Sequence, residues 1–155
     1  MSLDEEVVQR VNDLRTTPWS GQTFRHTSRG RDPLSGVGAR RFGGRWNPAD
    51  ICATVYLAQP KLTCLDEFAR LAQANNQPPE DMLRLPRDLH TIDVTALPVL
   101  DLRDEESLDY GGIVAPSATG AGLVIAVFEA RMKPGELTVR STEALDADTY
   151  RSTHP

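Results

Sequence analysis

Arg25, Arg45, Tyr56, Glu67 and Ser117 are the side chains of this 155-residue protein best suited to chemistry. Residues 25 to 45 hold Arg25, Arg29, Arg31, Arg40, Arg41 and Arg45 against the single acid Asp32. All six are arginine rather than lysine, and a planar guanidinium fork suits two-pronged contact with phosphate or carboxylate. Gly43 and Gly44 fall within the same run, where a turn with positive φ or a close approach of backbone to a ligand needs a missing side chain. The protein carries a net charge of −5, so its remaining 11 basic and 21 acidic residues repel the anions that this patch attracts.

Each residue has a plainer reading beside the functional one. The basic run could be a solvated loop in a chain with 15 arginines and two lysines. Tyr56 could be a core tyrosine with a satisfied hydroxyl, or a ring that stacks on a flat ligand. Arg25 lies mid-strand, where a charge is costly unless it is paired or faces a cleft. Glu67 could be a surface acid near a helix start. Its neighbours at i−3 and i+4, Cys64 and Leu71, both avoid water, which instead places it at a half-buried boundary such as a cleft wall. Ser117, in IVAPSATGAG, is by itself a turn residue. The weight lies in the combination of arginines, tyrosine, glutamate and serine beside glycine-rich turns.

Several classes are disfavoured. Cys52 and Cys64 have no framework spacing, and with His26, His90 and His154 scattered there is no zinc signature and no expected metal site. No run nears the roughly 20 apolar residues of a membrane span. MSLDEEVVQR lacks the basic start and apolar middle of a signal peptide, so a cytoplasmic location is expected. GVGARRFGG is not a dinucleotide fingerprint, because Arg41 stands where the third glycine belongs and no βαβ unit surrounds it. A nucleic-acid module is disfavoured by the sequence pI of about 5.2.

The elements that must position these groups follow from periodicity. Leu3, Val7, Val11 and Leu14 predict a helix over residues 2–15, and residues 22–26 a short strand with Thr23 and Arg25 on one face, Phe24 and His26 on the other. Residues 27–50 read as a long polar connection. Residues 51–58 alternate as a strand, with Val55 and Leu57 opposite Tyr56. A helix is predicted from Thr63, as its cap, to Ala74, with Leu65, Phe68, Ala69 and Ala72 as its core stripe. A short helix over 80–85 and strands over 90–94, 99–102, 113–115, 123–129 and 137–140 follow, with a turn at Pro134-Gly135 and a frayed end from Asp148. Helix first and strands later, without βαβ alternation, predicts one α+β domain over residues 1–155, a mixed sheet with flanking helices.

TFRHT, DPLSGVGARRFGGRWNP, ATVYLA with TCLDEF, and GIVAPSATG together resemble the RES domain, a family named after arginine, glutamate and serine. The resemblance spans residues 23 to about 125. It implies a fold similar to ADP-ribosylating toxins, and a toxin of a type II toxin–antitoxin pair that destroys NAD+ by hydrolysis or phosphorolysis. It implies Arg25, Arg45, Tyr56 and Glu67 as the site, with Ser117 and His26 beside them. Glu67 would face an oxocarbenium-like sugar. Arg25 and Arg45, with the N–H groups of Gly43 and Gly44, would hold the pyrophosphate or an incoming phosphate, and Tyr56 would stack on nicotinamide. NAD+ would be substrate, inorganic phosphate a co-substrate, and no cofactor is implied. The implied partner is an Xre-like antitoxin that blocks the cleft; no direct nucleic-acid or membrane contact is expected. A protein ADP-ribosyltransferase is the neighbouring alternative. His26 stands where the family often has tyrosine, and the link at 104–111 is shorter than the family's usual segment.

Overall fold

Six strands among the described residues, several of them near-continuous apolar runs, pair into one mixed sheet. A computed structural model describes residues 16–47, 49–50, 52–101 and 112–154. The strands are β1 (Thr17–Ser28), β2 (Thr54–Gln59), β3 (Arg87–Asp101), β4 (Gly112–Pro116), β5 (Leu123–Phe128) and β6 (Leu137–Ala144). The helices are α1 (Val37–Phe42), α2 (Lys61–Ala74), α3 (Pro79–Met82) and α4 (Ala147–Thr153). The predicted helix over 2–15 and the 104–111 link lie outside the described residues.

Pairings run β1-β2-β5-β4-β3 and return from β3 to β1, closing a ring; β6 lies along the other edge of β3. Among the described strands only β3 and β4 run parallel. Two closures differ greatly in strength. β1 pairs with β3 from Thr17↔Val99 to Ser28↔Arg87, whereas β1 meets β2 in one register pair, Phe24↔Ala58. Antiparallel register would next set Arg25 against Leu57 and His26 against Tyr56, and there the two strands part. This gap inside the sheet is where the site lies.

Val55, Leu57, Ile92, Val99, Val114, Ile125 and Val127 are buried together between the strands. The other face of β1 and β2 receives α2: Leu65, Phe68 and Ala72 are wholly buried, with Ala69 partly so, as the helical stripe requires. Phe24 packs on that same cluster and the His26 ring meets Phe68 edge-on at 5.2 Å, so the alternation expected of β1 holds.

Four expectations need correction. Residues 27–50 are not structureless: α1 forms there, and Glu129 Oε2 accepts from the Gly36 N–H at 2.7 Å, tying the segment to the end of β5. Thr63 does not cap α2, which starts at Lys61 after Pro60; its hydroxyl donates to the Ala121 carbonyl at 3.2 Å. The runs 90–94 and 99–102 belong to one strand, β3, because Ser20 Oγ accepts from Ala96 N–H at 2.8 Å and carries the chain through a residue with φ of 48°. Nor is the end from Asp148 frayed. The Asp146 side chain caps α4 through Thr149 N–H at 2.8 Å, Tyr150 is buried, and His154 Nε2 lies 2.6 Å from Asp66 on α2. Propensity in a seven-residue helix is weak, so only this tertiary docking makes α4 stable.

Candidate active site

Where β1 and β2 diverge, a cleft of about 840 Å³ opens, lined from β1, β2, α2 and the residue 39–46 segment. That volume is in the usual range for a small-molecule site. Its charged lining residues are Arg25, Arg45, Arg70 and Glu67, a cationic surface in an acidic protein.

Glu67 sits half-buried on α2, as its neighbours predicted, one helical turn beyond buried Cys64. The turn between β4 and β5 reaches across to it. Ser117 Oγ–H donates to Glu67 Oε1 at 2.6 Å. A hydroxyl has one proton, so the 2.7 Å contact with Thr119 Oγ1 has Thr119 donating to Ser117. The Thr119 N–H adds a second donation to the same oxygen at 3.1 Å. Ser117 is 6% exposed, which makes it a buried clamp on the acid rather than a mere turn residue. The turn is locked by Gly122, whose φ is 75° and whose missing Cβ would otherwise collide with Thr63 Oγ1.

Tyr56 combines the satisfied hydroxyl of the plainer reading with a ring that reaches the cleft. Its ring lines the cleft, while its hydroxyl donates to Asn47 Oδ1 at 2.6 Å and accepts from Trp46 N–H at 3.0 Å. Burial pushes the phenol above its ordinary pKa. Asn47 Nδ2 in turn donates to the Ala39 carbonyl at 2.8 Å. This chain of bonds explains Gly44, where a Cβ would lie 2.5 Å from Tyr56 Oη.

The glycine amides serve the turn itself. Gly43 N–H donates to Ala39 O at 2.8 Å and Gly44 N–H to Asn47 O at 2.9 Å. Both glycines line the cleft, but the phosphate-cradling donation expected of their backbone is already used. Arg45 lies over the Trp46 ring at 4.7 Å and donates to Pro116 O at 3.1 Å, which ties the loop to the strand before Ser117.

Arg25 is largely a strut. Its Nη1 donates to the Pro33 carbonyl and its Nη2 to the Ser35 carbonyl at 3.0 Å, so it holds the loop that leads into α1. Burial lowers its pKa, with Asp32 and then Glu129 opposing that effect. His26 is held down to about 3, first by burial and then by the charges of Arg87 and Arg25, with a further push from His90. Arg87 Nη2 donates to His26 Nδ1 at 2.8 Å, and a guanidinium only donates, so the imidazole proton is on Nε2. The ring is therefore a neutral donor at the cleft floor. Beside it, burial pushes the Cys64 thiol up to about 12, an inert wall rather than a nucleophile.

The structure thus brings Arg25, His26, Gly43, Gly44, Arg45, Tyr56 and Glu67 to one cleft, with Ser117 behind Glu67. Sequence reasoning missed Arg70, Trp46, Asn47 and Thr119. Arg70, three residues after Glu67, carried a signal in helical periodicity; the others act through contacts that no local pattern records. Among the described residues no group of three His, Cys, Asp or Glu is placed to hold a metal ion. None of their helices is long and apolar enough to cross a membrane.

Comparison with known proteins gives the same direction. The NAD(+) phosphorylase MbcT of Mycobacterium bovis is 38% identical over 178 residues, covering 97% of this chain and 96% of the relative. MbcT of Mycobacterium tuberculosis matches equally. The crystal structure of the M. tuberculosis MbcT–MbcA toxin–antitoxin complex superposes with a TM-score of 0.85 at 38% identity, covering 98% of each chain. The RES domain family matches residues 17–119. On the strength of that match and of full-length relatives well above 30% identity, this chain belongs to the RES domain family.

Proposed function

We propose that this protein is a toxin that cleaves NAD+ at the nicotinamide–ribose bond, with inorganic phosphate as acceptor, and that an Xre-like antitoxin holds it inactive. The observation that carries the reading is the Glu67 carboxylate, fixed by Ser117 at 2.6 Å in a cleft otherwise ringed by guanidinium groups. The similarity to MbcT, named an NAD(+) phosphorylase, supports the choice of acceptor.

The bond to be broken joins an anomeric carbon to a cationic pyridinium. As it breaks, its electron pair stays on the ring nitrogen and nicotinamide departs neutral, so no acid has to protonate the leaving group. A phosphate oxygen forms the new bond to the anomeric carbon, and ADP-ribose 1-phosphate is the second product. The transition state gathers positive charge on the sugar. One carboxylate oriented in advance stabilises that charge without reorganising, and this is the role of Glu67. Arg45 binds phosphoryl oxygens. Arg25 fixes the loop that carries the basic residues, and the Tyr56 ring stacks on nicotinamide with His26 as neutral donor nearby. Holding both ends of a long substrate converts remote binding into alignment at the scissile bond. NAD+ and phosphate enter as substrates, no resident cofactor is required, and the cytoplasm supplies both.

The relative solved with its antitoxin supports the partner. So do apolar side chains left in solvent around this cleft: Phe42, 78% exposed, adjoins Gly43, and Leu71, 41% exposed, lines the wall. The deciding experiment is mass identification of products from NAD+ with and without inorganic phosphate. Nicotinamide plus ADP-ribose 1-phosphate, formed only with phosphate, is the expected result. Phosphate-independent ADP-ribose would replace phosphorolysis by hydrolysis, and absence of nicotinamide release from antitoxin-free protein would overturn the reading. Added antitoxin should stop the reaction.

A further inference from the structure

Glu67 and Arg70 stand three residues apart on α2, a spacing that places their Cβ atoms about 5–6 Å apart and ordinarily yields an ion pair. That pair does not form here. Glu67 Oε1 instead accepts from Ser117, which is backed by the Thr119 hydroxyl and amide. Among the described residues the Arg70 guanidinium makes no hydrogen bond, ion pair or ring contact, yet it lines the cleft beside Glu67 and Leu71.

The other two arginines of the cleft are committed. Arg25 spends both terminal nitrogens on the Pro33 and Ser35 carbonyls, and Arg45 spends one on Pro116 O and its flat face on Trp46. A guanidinium has five N–H donors in a fixed fork. Arg70 therefore offers the least encumbered fork in the cleft, one helical turn from the reacting acid.

We propose that Arg70 is a substrate-binding residue that takes a phosphoryl oxyanion, and that the Ser117–Thr119 clamp favours this by holding Glu67 through Oε1. This deepens the reading above and rests on it for the identity of the substrate. The oxyanion belongs either to the diphosphate of NAD+ or to the inorganic phosphate acceptor.

Steady-state kinetics of Arg70→Gln and Arg70→Lys, with each substrate varied at saturation of the other, test this. Arg70→Gln is expected to raise one KM by about tenfold or more while kcat falls far less, since it removes a contact made in both ground and transition states. Arg70→Lys should recover part of the loss, because charge survives but the fork does not. A rise in the KM for NAD+ assigns the diphosphate, and a rise in that for phosphate assigns the acceptor. Both KM values within twofold of wild type would overturn the inference while leaving NAD+ cleavage intact. If wild-type protein consumes no NAD+, the functional reading falls instead, and calorimetric titration with inorganic pyrophosphate decides the site: weaker binding by Arg70→Gln sustains it, equal binding removes it.

Discussion

Ser117→Ala isolates the clamp on Glu67. The substitution removes a 2.6 Å donation to a carboxylate and nothing larger than one oxygen atom. A hydrogen bond to a charged partner contributes about 1.5–3 kcal/mol. If all of it is expressed where the sugar becomes cationic, then at about 1.36 kcal/mol per factor of ten kcat/KM falls roughly 10- to 150-fold. The freed acid gains a second option, an i,i+3 pair with Arg70 worth about 0.2–0.5 kcal/mol, which also withdraws that cation from substrate. Stability suffers less. The Thr119 hydroxyl retains the Ala121 carbonyl as an acceptor at 3.5 Å, and the residue is only half-buried. A cost of about 1 kcal/mol corresponds to a melting shift of about 2–4 °C at this size. The assay is nicotinamide release at NAD+ concentrations below KM, paired with a thermal melt. Thr119→Val, which leaves Ser117 and the residue 119 N–H but removes the hydroxyl donor, should show a smaller loss, on the order of 2- to 12-fold for a neutral hydrogen bond of about 0.5–1.5 kcal/mol. Ser117→Ala activity within twofold of wild type, on a folded protein, would refute the clamp.

Acid should destabilise the protein through His26. The unfolded chain binds a proton at this residue near its ordinary 6.5, whereas the folded ring resists until about 3, so its contribution is complete above pH 6.5 and declines as pH falls toward 3. His90, also lowered chiefly by burial, acts in the same direction. In His26→Gln the side-chain oxygen still accepts from Arg87 but no longer titrates, and the melting temperature should fall less steeply between pH 6.5 and 4.5; equal slopes would discard the assignment. Gly36 and Gly38 should respond oppositely to alanine. At Gly36 a Cβ would overlap the backbone of Thr54, and overpacking of this kind costs about 1–3 kcal/mol. At Gly38, inside α1, it would meet nothing within 4 Å, and alanine should gain about 0.5–1 kcal/mol in a helix. Matching melts for the two variants would show that the close approach of α1 to β2 is not rigid.

Periodicity revealed the surfaces but not the pairings between them. The α2 stripe of Leu65, Phe68 and Ala72, the alternation around Tyr56 and the boundary position of Glu67 were legible because each depends on residues within one turn or one strand. The partner of Glu67 lies 50 positions away, and only the antiparallel β4–β5 hairpin brings its turn to α2. Arg25 and the glycines were expected together and do line one cleft, but their bonding was not legible. Whether a guanidinium or an amide faces ligand or its own loop depends on how residues 27–50 fold back, and that segment carries no periodic signal. The helix over 147–153 was missed for a related reason: its stability comes from Asp66, Phe68 and a local cap rather than from its own composition.

The narrow junction between β1 and β2 determines what controls the geometry of the cleft. Tyr56 and Leu57 form one lip, yet their strand is hydrogen-bonded along its back to β5 from Thr54↔Phe128 to Gln59↔Leu123 and to β1 at a single rung. The position of the aromatic lip is thus dictated from behind, by a strand that supplies only Val124 to the cavity. A one-residue slip of that ladder would turn the Tyr56 ring to the other face of the sheet. Ile125 and Ala126, the register partners of Leu57 and Tyr56, accordingly set the aperture of the cleft.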